Sequence, residues 1–225
     1  MSILLHQQFK QKIMVLDGAM GTALQERNLT PDDFGGDDYD GCNEHLVLTR
    51  PDVIQDVHEA YLAAGADIIE TNTFGGTNFV LGEYGLEHLV AEINTTAVKL
   101  ACTARDNYTT PDHPRFVAGA IGPTTKALSV TGGISFDDLS FSFYEQAKAL
   151  TKAGSDYLLL ETALDTLNLK AAYIGILRAF DELNQNIPIA ISCTIETMGT
   201  MLAGQNVEAL YTAVEHINPL YIGLN

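Results

Sequence analysis

Two stretches of the 225-residue chain bring together residue types that could do chemistry. In VLDGAMGTAL, residues 15–24, Asp17 closes an apolar run and is followed at once by Gly18, Ala19, Met20 and Gly21. Two glycines let backbone N–H groups come close to a ligand, and successive free N–H groups make a concavity suited to a small carboxylate. Asp17 beside them suits an ammonium group. One reading is a clamp that holds an amino acid by both ends. The other is a plain turn, with Asp17 as its cap. The second stretch is YLLLET, residues 157–162, where Glu161 follows four apolar residues. A carboxylate buried without a partner is strongly unfavourable, so Glu161 calls for a cation, either a Lys or Arg of the chain or a ligand's ammonium. No basic residue stands close to it in sequence.

Glu161 has a counterpart. YLAAGADIIETNTF, residues 61–74, and LTKAGSDYLLLETALDT, residues 150–166, each run through a helix end, Ala-Gly, a small residue, Asp, an apolar run and Glu-Thr. Gly65 and Gly154 fall where a helix needs a left-handed stop. The apolar runs are continuous, as in strands covered on both faces of a parallel sheet. In the first copy Glu70 reads as a structural hydrogen-bonding group, and Asn72, two residues on, is a candidate substrate contact.

The same alternation continues along the chain. Strands are expected at 13–17, 66–70, 116–121, 157–161, 189–194 and 220–224, and helices at 49–64, 87–105, 141–153, 166–183 and 207–217. Thr49 is placed to cap the first helix, with Asp52 at capping-box spacing and Pro51 in its first turn. Six strands and five helices in alternation mean an α/β protein with right-handed crossovers. No Gly-x-Gly-x-x-Gly or Gly-x-x-x-x-Gly-Lys-[Ser/Thr] run occurs, which weakens a nucleotide-binding open sheet. Asp17, Glu70-Thr71-Asn72, Glu161-Thr162 and Cys193-Thr194 all stand at strand C-termini, the rim on which (β/α)8 barrels build their sites. The expected fold is therefore a TIM-type (β/α)8 barrel over residues 1–225, incomplete at six strands, with two open edges and an uncovered interior.

Composition excludes several partners. Hydrophobic residues make up 46%, enough for a core, and 12 basic against 29 acidic residues give a net charge of −17. Such a chain repels nucleic-acid phosphates and offers no polybasic patch to anionic lipid. The N-terminal apolar stretch is too short for a signal peptide and no 18-residue apolar span occurs; a soluble cytoplasmic protein is expected. Cys42, Cys102 and Cys193 read as free thiols. Cys42 and His45 have Cys-x-x-His spacing, but two ligands do not make a zinc site. Cys193 could face the barrel mouth or be an inert buried thiol.

MVLDGAMGTALQ, PDVIQDVHEAYLAAGADIIETNTF, VAGAIGPT, LLLETALDTLNLKAA and YIGLN together, in order and over residues 13–225, resemble the homocysteine S-methyltransferase family. GCNEHLVLTRPDVI looks more like its cobalamin-dependent branch than the betaine- or S-methylmethionine-dependent ones, and the loop TTKALSVTGGISFDDL is shorter than in some members. The resemblance implies a methyltransferase that binds homocysteine at the barrel rim. Asp17 and Glu161 would hold the ammonium, and the N–H groups of Gly18, Ala19 and Met20 would lie near the carboxylate. It also implies zinc held by three cysteines, the first directly after the GLN that ends at Asn225, with methyl transfer from a cobalamin module that a folate module recharges. None of the three cysteines present matches those positions, so no metal ligand and no bound cofactor is expected in this chain, and on its own it is expected to be inactive. A non-catalytic amino-acid-binding or interaction module, and an unrelated barrel enzyme with Glu161 as general base, are the competing readings.

Overall fold

A computed structural model describes residues 2–225. Its frame is one parallel sheet of five strands in chain order: β1 (Ile68–Glu70), β2 (Phe116–Ile121), β3 (Tyr157–Ala163), β4 (Ile189–Cys193) and β5 (Ile222–Leu224). The strands curve into a half-barrel, with helices packed outside. The expected first strand, residues 13–17, is reduced to a single parallel bridge between Leu16 and Ile68. Its backbone still bonds β1, with Asp17 N–H donating to the Ile68 carbonyl at 2.9 Å and Asp67 N–H to that of Val15 at 2.8 Å. Ile13 and Val15 are exposed, so nothing covers this segment's far side to extend the pairing.

Ten α-helices accompany the strands among the described residues. The crossover helices are α5 (Pro51–Ala64), α7 (Val90–Tyr108), α8 (Phe136–Ala153), α9 (Thr166–Leu183) and α10 (Val207–Val214). Capping explains where they differ from expectation. Thr49 does not cap α5; its hydroxyl donates to the His45 carbonyl, and Arg50 instead holds Asp33 and Asp52. The capping box lies at Thr30 and Asp33, before the short α3 (Pro31–Phe34). Helix α8 begins five residues earlier than expected because the Ser135 hydroxyl accepts from Asp138 N–H.

Side chains alternate between two faces of each strand. Leu158, Leu160, Ile189, Ile191 and Cys193 face outward, into a core shared with α8 and α9. Ile68, Phe116, Ala118, Tyr157, Leu159 and Ala190 face inward. The interior is not left uncovered: helix α1 (Ser2–Gln11), unrecognised in the sequence, inserts Leu5 and Phe9 among those residues. The repeated aspartates lie at the strand starts. The carboxylate of Asp67 accepts from Val15 N–H and from Lys12 and His113. That of Asp156 accepts from Val117 N–H and from Arg105. They tie neighbouring strands together at the end of the sheet opposite Glu70 and Glu161.

Helices α8 and α9 cross in close contact at Gly175. A methyl group there would run into the Ser140 carbonyl and lie 2.8 Å from the Tyr144 backbone nitrogen, neither of which can rotate away. Gly175→Ala should therefore destabilise the protein by about 1–3 kcal/mol, read as a lower denaturant midpoint at unchanged slope; an unchanged midpoint would show that the two helices separate freely.

Candidate functional site

Period two sends Glu70 and Glu161 inward, two residues beyond Ile68 and Leu159 on their respective strands.

 Glu70 thus stands above Ile68 on β1, and Glu161 above Leu159 on β3, on the barrel side of the sheet. A bulge refines the aim of Glu161. Between Leu160–Ile191 and Ala163–Cys193 the pairing of β3 with β4 gains one residue on β3. Thr162 takes up the irregularity at φ 57°, a conformation rare for a β-branched residue, and its N–H donates to the Ser192 hydroxyl at 3.1 Å. Bulges of this kind re-aim side chains beside active sites. Asn225 braces the same turn, its amide reaching the Thr162 hydroxyl at 3.3 Å and its carbonyl oxygen accepting from Thr194 at 3.4 Å.

Asp17 reaches the same place from the first segment. Its carboxylate oxygens accept the Glu70 backbone N–H at 3.0 and 3.1 Å, which fixes the carboxylate against the end of β1. A cavity of about 410 Å³ opens there, lined by Asp17, Gly18, Ala19, Met20, Asn72 and Glu161. Every candidate contact from the sequence is therefore brought to one cavity. Gly18 and Ala19 lead into α2 (Met20–Gln25), whose first turn leaves backbone N–H groups without partners inside the helix.

Six further residues complete the wall: Gly21, Asn43, Glu44, Glu70, Thr71 and Phe74. Glu70 corrects the structural reading, because its side chain meets the Glu161 carboxyl in the cavity and does not brace a loop. Glu44 is half-buried, and one of its oxygens accepts from Gly75 N–H at 2.7 Å. The Asn72 amide donates to the Asn43 carbonyl at 2.7 Å, joining the loop after β1 to the loop before α4 (Leu46–Thr49). The sequence signal for Glu70 was its equivalence with Glu161 in the repeat; Glu44 carries no comparable signal.

Four carboxylates thus line one cavity, and among the described residues no Lys, Arg or His does. Burial, with Glu70 beside it, pushes the Asp17 carboxyl up to about 8. Burial is also the main cause that raises Glu161, with the charges of Glu70 and Asp17 next, and it raises Glu70. An ammonium group would supply the missing positive charge.

The cysteines do not fit a zinc site. Cys42 packs among Leu24, Phe34 and Leu46, and burial followed by the charge of Glu44 pushes its thiol up to about 11. His45 turns to the Phe34 carbonyl. Cys193 faces the outer core rather than the barrel mouth, and burial pushes it up to about 12. Cys102 lies on α7, near the Gly154 carbonyl. Zinc takes thiolates gathered at one point, whereas burial holds these thiols protonated and the fold keeps them apart. Among the described residues no three His, Cys, Asp or Glu side chains are grouped to hold a metal ion.

The family model for homocysteine S-methyltransferase matches residues 14–225. The chain belongs to the homocysteine S-methyltransferase family. The methionine synthase of Mycobacterium leprae is 43% identical over 215 residues, which are 96% of this chain and 18% of that protein. The chain thus spans under a fifth of that relative's length. Crystal structures of the homocysteine methyltransferase MmuM from Escherichia coli share the fold. The oxidized and metallated forms both align with a TM-score of 0.79 at 24% identity, over 99% of this chain and 75% and 76% of theirs. The likeness in fold places the half-barrel as an incomplete TIM-type barrel. No helix among the described residues is long and apolar enough to cross a membrane.

Proposed function

We propose that this chain binds homocysteine by its amino-acid end and presents the thiol for methylation, in a reaction of the methionine synthase type with methylcobalamin as donor. The observation that carries the reading is the cavity itself: four carboxylates, no cationic side chain, at the rim of a barrel of this family. Asp17 and Glu161 take the ammonium group. Backbone N–H groups of Gly18, Ala19 and Met20 take the carboxylate, and Asn72 closes the side of the cavity. Held at both of these groups, the ligand has only its side chain free, so the sulfur is the atom left to react. This is catalysis by orientation. The likeness of GCNEHLVLTRPDVI to the cobalamin-dependent branch is the ground for cobalamin as the methyl source, carried with a folate-binding module elsewhere in a longer protein; the methionine synthase relative is long enough to hold such modules. The zinc of the family reading is not supplied by Cys42, Cys102 or Cys193, and the roles assigned to the binding residues do not depend on it.

The test compares two thiols in the full-length protein with methylcobalamin. Homocysteine should be converted to methionine, and 4-mercaptobutanoate, which lacks only the ammonium group, should lose at least about tenfold in kcat/KM, as expected for one charge-assisted contact. No methionine, or equal use of both thiols, would overturn the proposal.

A further inference from the structure

The Glu70–Glu161 pair raises a question that ammonium binding alone does not answer: how two carboxyls face one another in a cavity without a cation. The charged and titratable groups around them come from every side. Asp17 approaches from the first segment, Glu44 from the loop before α4, and Tyr157 and Tyr221 from the barrel floor, where their hydroxyls meet at 3.0 Å. Both tyrosines are held neutral by burial. Nothing in this ring can neutralise a second carboxylate, so a proton must.

We propose that Glu70 is a positioning residue: it shares one proton with Glu161 across the unliganded cavity, and the substrate's ammonium group takes that proton's place. This rests on the reading that Asp17 and Glu161 hold the ammonium. The balance is simple. The Glu161 carboxyl, hydrogen-bonded to Glu70, gives its proton to bulk water as the ligand's single positive charge enters, so the net charge of the site is unchanged. Glu70 keeps the Glu161 carboxyl turned into the cavity before binding and makes binding depend on pH. Because a proton and the ligand compete for one place, affinity falls as pH drops below the range in which the pair titrates. The upward shifts of both carboxyls agree with this, burial being the leading cause for each.

The probe is L-methionine, which carries the same ammonium and carboxylate as homocysteine but no thiol proton to confuse the count. Calorimetry on the full-length protein, in buffers with different ionisation heats, should show release of about one proton per methionine bound at pH 7. The dissociation constant should weaken by up to about tenfold per pH unit between pH 8 and 6, the slope for one linked proton. Glu70→Gln keeps a hydrogen-bonding amide but removes the competing carboxylate. It should bind within about threefold of the parent at pH 8, release less than half as much proton at pH 7, and show a flatter pH profile. No proton release by the parent protein, or an unchanged count in Glu70→Gln, overturns the proposal. A tenfold loss for Glu70→Gln at pH 8 also overturns it, since Glu70 would then be a direct charge contact. The underlying reading fails in a different way: Asp17→Asn and Glu161→Gln would bind methionine as the parent does, or the parent would not bind methionine at all.

Discussion

Asp17→Asn and Glu161→Gln in the full-length protein should each weaken homocysteine binding by about 10- to 100-fold, measured by calorimetry at pH 8. Each substitution keeps the shape of the side chain and removes its charge. Hydrogen bonds to a charged group contribute about 1.5–3 kcal/mol, against roughly 1 kcal/mol for neutral ones. The effect should be large here because the cavity offers the ammonium no cationic competitor among the described residues. Asp17 should be the more sensitive to geometry. Its carboxylate is fixed by the Glu70 N–H, and an asparagine that turned its amide nitrogen toward that donor would also lose the backbone contact. Unchanged affinity in both variants would sink the assignment of the ammonium site and leave the clamp as a turn.

The residues that meet at the cavity were legible in sequence because they fall in local stretches. Asp17 with its glycines is one short stretch, and Glu161 stands out as a charge directly after Tyr157–Leu160. The alternation of helix and strand was legible for a similar reason. The left-handed glycines, Gly65 at φ 111° and Gly154 at φ 107°, stop two helices where the repeat placed them. What was missed depends on contacts between distant segments. Helix α1 looks unremarkable in sequence, and its importance comes from Leu5 entering a space enclosed by strands that begin at Ile68 and lie far along the chain. The first strand shrinks to one bridge because pairing on its far side is not made, which its own apolar residues do not reveal. Glu44 belongs to the site only because Gly75, 31 residues on, donates to it. Glu70 was assigned to structure although it shares its repeat position with Glu161. Inward parity from Ile68 would have placed it in the cavity, since a strand's period of two fixes the face once one inward residue is known. The bulge at Thr162 depends on the register between two strands and has no signature in either one alone.

The substitutions that weaken binding should make the unliganded domain more stable. Asp17, Glu70 and Glu161 have carboxyls raised above their ordinary range, Asp17 to about 8. The sign follows from proton counting. Between the unfolded value, roughly 4, and the raised folded value, the native state holds more protons than the unfolded one. The contribution of these groups is therefore fully present below about pH 4 and is lost as pH rises toward 8. At pH 8 the native state carries crowded carboxylates that unfolding would release into water. One pKa unit corresponds to about 1.4 kcal/mol, and water entering the open cavity reduces the effect. Neutralising one carboxylate should then stabilise the domain by on the order of 1–3 kcal/mol at pH 8, and by less at pH 5, where the group is already protonated. For a domain of this size each kcal/mol raises Tm by about 2–4 °C. The relevant transition is the one that homocysteine shifts upward in the parent protein. Comparing each variant with its parent at both pH values cancels the opposite, acid-side contribution of Asp67, whose carboxyl is held below its usual range by Lys12, Val15 N–H and His113 against the effect of burial. A Tm that falls in Glu161→Gln at pH 8 would show that the carboxyl serves the fold, and one that rises equally at pH 5 and pH 8 would show that the effect does not come from its charge. A rise confined to high pH, together with lost affinity, would show that the fold tolerates these charges for the sake of the ligand, the expected conflict between stability and a built binding site.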